Sequence, residues 1–168
     1  MDIHSLDRFI EAQERMYAVA LEEIKSGLKR SHWMWYIFPQ LRGLGTSSMA
    51  HVYGIAGLDE ARAYLSHPVL SARLIEISEA LLMLKKKTPD DIFGHTDAMK
   101  LRSSMTLFAL VSDDGSVFHE VLERFYNGRM DERTLKLIKS QLSDDEQIDL
   151  TAKCILEKYR KAFEKLAK

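Results

Sequence analysis

The chain has 168 residues, of which 46% are hydrophobic and 29% charged, with 24 basic and 25 acidic side chains. A formal net charge of −1 provides no overall attraction to nucleic acid or to an anionic membrane, which argues against both as partners. The single cysteine, Cys154, excludes an internal disulfide and favours a reducing compartment. The first ten residues predict no signal peptide, and no apolar run approaches the roughly 20 residues of a membrane span. We therefore expect a cytoplasmic protein.

Apolar residues recur at steps of three and four along most of the chain, which predicts helices. The predicted helices span residues 6–26, 58–65, 68–86, 89–93, 96–112, 117–126, a segment capped by Asp131, and 143–167. Gly27 is a predicted helix stop, and Thr88 and Ser143 are predicted N-caps. No run of alternating residues predicts a sheet. The expected fold is all-α, with about eight helices and short connections.

One stretch, residues 31–45, differs from this pattern. It contains both tryptophans of the chain, Trp33 and Trp35, and two glycines, Gly43 and Gly45, near its end. Aromatic planes beside guanidinium groups and backbone amides are typical of a site for a planar, anionic ligand. The alternative is that the aromatic side chains form the centre of the core and the glycines permit a turn.

A second polar cluster begins the fifth predicted helix. Asp97, Lys100 and Ser104 fall on one line of that helix, and Arg102 and Thr106 fall on another. Such a concentration of polar side chains at a helix start indicates an oxyanion or phosphate contact. The alternative is a solvated helix end with an Asp97–Lys100 ion pair.

Other recognisable sites are absent from the sequence. It contains no Walker loop, no Gly-x-Gly-x-x-Gly, no Gly-x-Ser-x-Gly and no zinc-finger spacing. His119 and Glu123 are one helical turn apart and could hold a metal, but a solvated helix face is the simpler interpretation. The sequence therefore predicts no metal and no cofactor.

Four strings of the sequence resemble an uncharacterised, mainly bacterial family known as domain of unknown function 1810, some of whose members are mislabelled calpastatin-like. The strings are residues 29–45, 60–70, 92–94 and 100–108. The resemblance covers about residues 5–140 and implies an all-helical fold without an established activity. Residues 1–142 are accordingly predicted to form the family-like domain. Residues 143–168 are predicted to be an additional amphipathic helix packed on it.

The first functional hypothesis is a small-molecule site formed where residues 31–45 meet residues 97–106. Its ligand would be planar and anionic, resembling a nucleotide or ADP-ribose, and its chemistry as an enzyme would be hydrolysis without a metal. His32 is the predicted acid–base residue, with Asp97 or Gln40 orienting it. The predicted ligand contacts are Ser31, Trp33, Trp35, Gln40, Arg42, Gly43, Gly45, Lys100, Arg102, Ser103 and Ser104.

The second hypothesis is a non-enzymatic interaction or regulatory module. It is motivated by the absence of a catalytic motif and by the additional C-terminal helix, through which the chain would form a homo-oligomer.

Overall fold

The computed structural model of the chain describes residues 5–167, and over this range it forms ten helices. They are α1 (Asp7–Ser26), α2 (Met34–Ile37), α3 (Ser48–Val52), α4 (Leu58–Ser66), α5 (Pro68–Leu82), α6 (Pro89–Phe93), α7 (His95–Leu110), α8 (Val117–Tyr126), α9 (Glu132–Gln141) and α10 (Asp144–Leu166). The predicted all-α fold is confirmed. The number of helices is ten, not about eight, because α2 and α3 are too short to show a helical period. Residues 1–4 and 168, which the predicted domain boundaries include, lie outside the described residues.

The helix ends follow the sequence signals. Gly27 ends α1 in the left-handed region, with φ of 78°. Thr88 and Asp91 form a capping box at the start of α6, and Ser143 and Glu146 form another at the start of α10. These caps satisfy backbone N–H groups that have no partner within the helix.

The central helix of the fold is α7. Every residue from Ser103 to Leu110 is buried, whereas a surface helix would expose one face. Helices α4, α6, α8 and α9 pack around α7, while α5 links α1 to α8. The core is therefore continuous from one side of the molecule to the other.

Residues 42–54 form a loop that is closed at its base. Leu41 and Ile55 form an isolated parallel bridge: Arg42 N donates to Ile55 O at 2.8 Å, and Ile55 N donates to Gln40 O at 2.9 Å. Position 54 requires glycine, because a Cβ there would lie 2.8 Å from the Arg42 Cα. The buried Arg8 also holds the base, because its guanidinium donates to the carbonyls of residues 52 and 54.

The last helix, α10, contacts the rest of the chain through a largely polar face. Lys153 Nζ donates to the carbonyl of Leu110, the last residue of α7, at 2.7 Å and to that of Ser112, just beyond the helix, at 2.9 Å. Lys161 pairs with Glu123 of α8 at 3.3 Å. Within residues 5–167, neither α10 nor any other helix combines the length and apolar character needed to cross a membrane.

Candidate functional site

A buried carboxylate organises the aromatic segment. Glu23 of α1 accepts hydrogen bonds from Arg30 N and Ser31 N, both at 2.8 Å, from Ser31 Oγ at 2.7 Å and from Trp33 Nε1 at 2.9 Å. Burial opposes ionisation of Glu23, but these donors outweigh it and lower the pKa of the carboxyl to about 2. We call these four residues the Glu23 hub. The hub fixes the chain between α1 and α2.

Trp33 belongs to the hydrophobic core. Its side chain is fully buried, with ring centroids 6.2 Å from Phe38 and 6.4 Å from Phe93. Its indole N–H is already bonded to Glu23, as is the hydroxyl of Ser31. Trp33 therefore offers no free surface to a ligand in this conformation, and the core interpretation applies to it, while the hydroxyl of the partly exposed Ser31 is engaged by Glu23.

The two predicted segments do meet, at Trp35. Asp97 pairs with Lys29 at 2.9 Å and with Lys100 at 3.4 Å. Lys100 Nζ lies 5.0 Å from the centroid of the half-buried Trp35 ring, in cation–π contact. We call these four residues the Trp35 patch. It combines one accessible aromatic ring with two ammonium groups, of which Lys29 is the more buried.

The predicted acid–base pair is not assembled. His32 is exposed, and among the described contacts of Asp97 the ion pairs are those with the two lysines. A general base needs a partner that orients its ring, and Asp97 does not orient His32 here.

The predicted contacts at residues 40–45 are part of the closed loop. Gln40 contributes its carbonyl to the bridge, and the Arg42 guanidinium donates to the carbonyls of His51 and Gly54. Gly43 adopts φ of 105°. A Cβ on Gly45 would lie 2.7 Å from the Cβ of Ala50 in the adjacent α3. Their described contacts serve the conformation of the loop.

The remaining predicted contacts lie along α7. Arg102 points away from the Trp35 patch, and its Nε and Nη2 donate to the carbonyls of Arg129 and Met130, at 2.8 and 3.0 Å. Ser103 Oγ donates to the carbonyl of residue 99 in the preceding turn. Ser104 is fully buried, and its hydroxyl has no hydrogen-bond partner among the described residues. The structure thus separates Arg102 from the ring that it was predicted to assist.

Arg102 instead borders a cleft of about 470 Å³ between α8, the start of α9 and α10. We call it the α10 cleft. Its apolar walls are Leu122, Met130, Leu135, Cys154 and Ala162. Its basic residues are Arg102, Arg129, Lys158, Lys161 and Lys165, against the acidic residues Glu123, Glu132 and Glu157. Its volume lies within the roughly 300–1,000 Å³ of small-molecule sites, and positive charge predominates.

His119 and Glu157 are the most buried polar residues of this cleft, at 2% and 5% exposure. The interpretation of His119 as part of a solvated face is therefore wrong, because α10 covers it. Ser116 Oγ lies 2.8 Å from His119 Nδ1 and orients the ring. Burial lowers the pKa of His119 below its usual 6.5, and the opposing effect of Glu157 does not reverse this. The imidazole is accordingly neutral near pH 7.

The same histidine belongs to a cluster with metal-ligand chemistry. One nitrogen of His119 and carboxylate oxygens of Asp114 and Glu157 lie within 4.8 Å of one another. Arg160, however, donates to both carboxylate oxygens of Glu157, at 3.1 and 2.6 Å. Burial opposes ionisation of Glu157, but Arg160 and the other neighbouring cations outweigh it and lower the pKa of this carboxyl. Because protein cations already balance the cluster, we assign no metal to it.

Cys154 contributes surface to the cleft and not a nucleophile. Burial raises the pKa of its thiol, which keeps the group protonated near pH 7. This agrees with its position on the helix face that packs against the domain.

A second, larger cleft of about 770 Å³ lies between α4, the end of α7 and the start of α10. Its charged residues are Asp59, Glu60, Arg62, Asp113, Glu146, Asp149 and Lys153. Acidic groups predominate, and Glu146 is already used in the capping box of α10. This cleft is therefore a poorer match for an anion than the α10 cleft.

Sequence reasoning missed Glu23 and Glu157, and it assigned His119 to a solvated helix face. Glu23 lies beside the apolar stripe of α1, and no sequence signal showed that four donor groups from three residues would converge on it. Glu157 lies seven residues after Leu150, on the side of α10 opposite its apolar stripe. Because residues seven apart lie on the same side of a helix, this spacing was a sequence signal that Glu157 shares the inward side of α10 with Leu150.

The fold and contacts define an all-α protein built around one central helix. The chain belongs to the family described as "Protein of unknown function (DUF1810)", whose model matches residues 3–138. The resemblance noted in the sequence is thereby confirmed, and α10 begins beyond the matched range.

The comparison with solved structures also finds a similar protein without an assigned function. The chain is similar to a crystal structure described as the conserved hypothetical protein Rv1873 from Mycobacterium tuberculosis, solved at 1.38 Å. The two share 45% sequence identity and a TM-score of 0.79, and the match covers 82% of this chain and 99% of the other. No curated protein matches the chain.

Proposed function

We propose that the chain binds a small anionic ligand of nucleotide size in the α10 cleft. The observation that carries this proposal is the arrangement of that cleft, in which basic side chains border apolar walls and a buried, neutral imidazole lies at the covered end. Apolar walls with a few converging polar groups are the usual composition of a ligand site. This retains the predicted ligand class and the predicted role of Arg102, but moves the site to the other side of α7.

Two groups of the cleft are suited to direct contact with an anion. Arg129 is exposed, and its side chain makes none of the described hydrogen bonds or ion pairs. Arg102 holds two carbonyls through Nε and Nη2, which leaves Nη1 for a charge-assisted bond to phosphate or carboxylate. Met130 and Leu135, both partly exposed, provide apolar surface for the body of the ligand.

The competing location is the Trp35 patch. It offers a ring for stacking and Lys100 for the anion, which is the chemistry first predicted for residues 31–45 and 97–106. Its two lysines already share the Asp97 carboxylate, so an anion would compete with that ion pairing. In the α10 cleft Lys161 and Lys165 likewise share Glu123, but the Arg129 side chain makes none of the described ion pairs. For this reason we place the site in the cleft. Hydrolysis by either site stays a prediction.

A thermal-shift screen of the full chain tests the proposal with nucleoside mono- and diphosphates, ADP-ribose and sugar phosphates as probes. A ligand at a hundred times its Kd adds about 2.7 kcal/mol. That raises Tm by roughly 5–10 °C for a domain of this size. The same samples, analysed by chromatography after incubation, report any hydrolysis of the probe.

Paired variants locate the site. Arg129→Glu should abolish the shift and Glu132→Lys should increase it, because both residues line the cleft and are exposed. Lys136→Glu is the matched control, an exposed lysine of α9 outside the cleft lining. Loss of the shift in Trp35→Ala, with Arg129→Glu unaffected, would move the site to the Trp35 patch. A lack of any shift across the panel would reject the proposal.

A second candidate function is an interaction module, the alternative raised by the sequence. It is favoured by a specific observation, the exposed apolar side of α10, and it does not depend on the ligand proposal.

A further inference from the structure

The face of α10 that packs against the domain is mostly charged. Leu150, Lys153, Glu157 and Lys161 occupy this face at helical spacing. Leu150 and Glu157 are buried, Lys153 holds carbonyls of residues 110 and 112, and Lys161 pairs with Glu123. A helix attached only to its own domain would present its apolar face inward, and α10 presents the opposite face.

The outward side of α10 carries a regular apolar stripe, which we call the α10 seam. The seam consists of Ile148, Ala152, Ile155, Tyr159, Ala162 and Leu166, all exposed, and Ala162 also borders the α10 cleft. The exposed fraction reaches 65% at Ile148 and 82% at Leu166. Leu156 and Phe163, at 63% and 70%, widen the stripe along one side. An apolar patch of this kind marks a contact surface.

The spacing of the seam is that of a coiled coil. Its steps alternate between four and three residues from Ile148 to Leu166, which is the heptad period of a helix packed along another helix. At 1.5 Å per residue the seam is about 28 Å long. Its geometry therefore fits a second straight helix of similar length.

Charge along α10 identifies that second helix. Residues 144–157 carry five acidic and one basic side chain, whereas residues 158–167 carry four basic and one acidic. Two copies of α10 in antiparallel orientation would place each acidic half against a basic half. A parallel pair would align like charges, which is unfavourable at close range.

We propose that α10 of one copy pairs antiparallel with α10 of a second copy through the α10 seam, giving a two-fold symmetric dimer. The edge of the seam supports this orientation, because Asp144, Thr151, Lys158 and Lys165 follow it at seven-residue steps. An antiparallel pair brings this edge against itself in reverse, so Asp144 of one copy lies next to Lys165 of the other. Such an interface is isologous, as in most homodimers.

Sedimentation equilibrium of the full chain tests the proposal. Wild type should be a dimer, and the double variant Ile155→Glu/Tyr159→Glu should be a monomer with unchanged helical circular dichroism. The control Met83→Glu/Met99→Glu should remain a dimer, since both methionines are exposed, at 74% and 50%, but lie outside α10. A monomeric wild type, or a dimer that survives the seam substitutions, overturns the proposal.

Charge exchange tests the orientation. Lys165→Glu alone should weaken the dimer by about tenfold, because each symmetric dimer loses two exposed ion pairs of up to about 1 kcal/mol. Lys165 also pairs with Glu123 of its own chain, at 3.6 Å, so the helical circular dichroism of this variant is compared with that of wild type. Adding Asp144→Lys to the same chain should restore the affinity, since the exchanged charges again meet. A double variant weaker than the single variant excludes antiparallel pairing. A monomeric chain that floats with anionic lipid vesicles would assign the seam to a membrane surface and overturn the proposal.

Discussion

The Glu23 hub and α10 both combine charged with apolar side chains, but they differ in which apolar groups remain exposed to solvent. In the hub the charge is enclosed: Glu23 is buried, its donors come from the same short segment, and Trp33 closes over it. In α10 the charged side faces the domain, while Ile148 and Leu166 face outward. In the hub, the buried charge has all its partners within the domain. In α10, the inward position of the charged side leaves an apolar side exposed, which is a surface available for a further contact.

The largest expected difference concerns the tryptophans. Trp33→Ala should lower the free energy of unfolding by about 3–5 kcal/mol, since it removes a fully buried ring and leaves a cavity beside a buried carboxylate. Trp35→Ala is the matched control and should cost clearly less, because its ring is only half-buried. Urea unfolding of both variants measures the difference. Equal losses of unfolding free energy in the two variants would mean that burial of Trp33 in the hub contributes no more stability than the half-buried Trp35.

The next largest effect concerns the charge of the hub. Glu23→Gln should cost about 1–3 kcal/mol at neutral pH, since hydrogen bonds to a buried charge are weakened. The folded pKa of about 2 lies below the usual 4.5, so the ionised group stabilises the fold fully above pH 4.5. That stabilisation is lost as the pH falls from 4.5 toward 2. The Tm difference between wild type and Glu23→Gln should shrink over the same interval.

The control for this prediction is Glu22→Gln. Glu22 is the preceding residue, and within residues 5–167 its exposed side chain pairs with Lys25 alone, at 3.9 Å. This variant should match wild type at every pH within about 0.5 kcal/mol. A pH-independent loss in Glu23→Gln would contradict a charged hub.

A smaller pH effect is expected where α10 covers His119. Burial lowers the folded pKa of His119 below 6.5, so its neutral form stabilises the fold above pH 6.5 and this contribution declines as the pH falls. Asp114, Glu157, Lys153 and Lys161 are the charged groups around the ring. Tm measured between about pH 5 and 8 should fall on acidification in wild type.

The matched variants for this titration are His119→Gln and His32→Gln. The slope of Tm against pH should flatten in the first and persist in the second, because the slope is assigned to the imidazole that α10 covers and His32 lies elsewhere, exposed. A slope that persists in His119→Gln would assign the pH dependence to other groups.

The smallest expected effect is that of Ile148→Ser, and it is compared with the effect of Leu150→Ser in the same helix. Leu150→Ser should cost about 2 kcal/mol, since Leu150 is the buried apolar anchor of the helix. Ile148→Ser, two residues earlier, should change the free energy of unfolding by at most about 0.5 kcal/mol when measured below the dimer dissociation constant. If Ile148→Ser were as costly as Leu150→Ser in the monomer, the seam would pack on its own domain.

The long helices were predictable because each carries several periods of its pattern and its own caps. Ser143 forms the capping box that its sequence context indicates, and Thr88, predicted as an N-cap, caps α6 and also forms a box with Asp91. Helices α2 and α3 could not be predicted, because a single turn is too short to show a repeating apolar pattern. The stability of such a turn depends on packing against the rest of the chain. Helix α5 also ends at Leu82, earlier than predicted, and the Arg124 side chain bonds the carbonyl of Leu84 at 3.1 Å.

The candidate site was predictable only in part. Spacing indicated correctly that residues 31–45 and 97–106 are unusual, and they meet at Trp35 and Lys100. It could not indicate that the indole of Trp33 would bond to Glu23, because that contact depends on how the chain turns after α1. It also could not show that α10 would cover His119, since that contact joins residues 38 positions apart. Side-chain roles depend on tertiary neighbours that a periodic pattern does not specify.

The closed loop at residues 42–54 has a practical consequence. Its ends are fixed by the Leu41–Ile55 bridge and by Arg8, so the residues between them are tethered independently of their length. Doubling the length of a loop costs only about 0.6 kcal/mol in closure entropy. Thr46 is exposed and precedes the Ser47 cap of α3, so a short peptide tag or fluorophore-binding insert at this position would leave the base of the loop intact. The chain thus provides an internal labelling position that leaves both the α10 cleft and the α10 seam untouched.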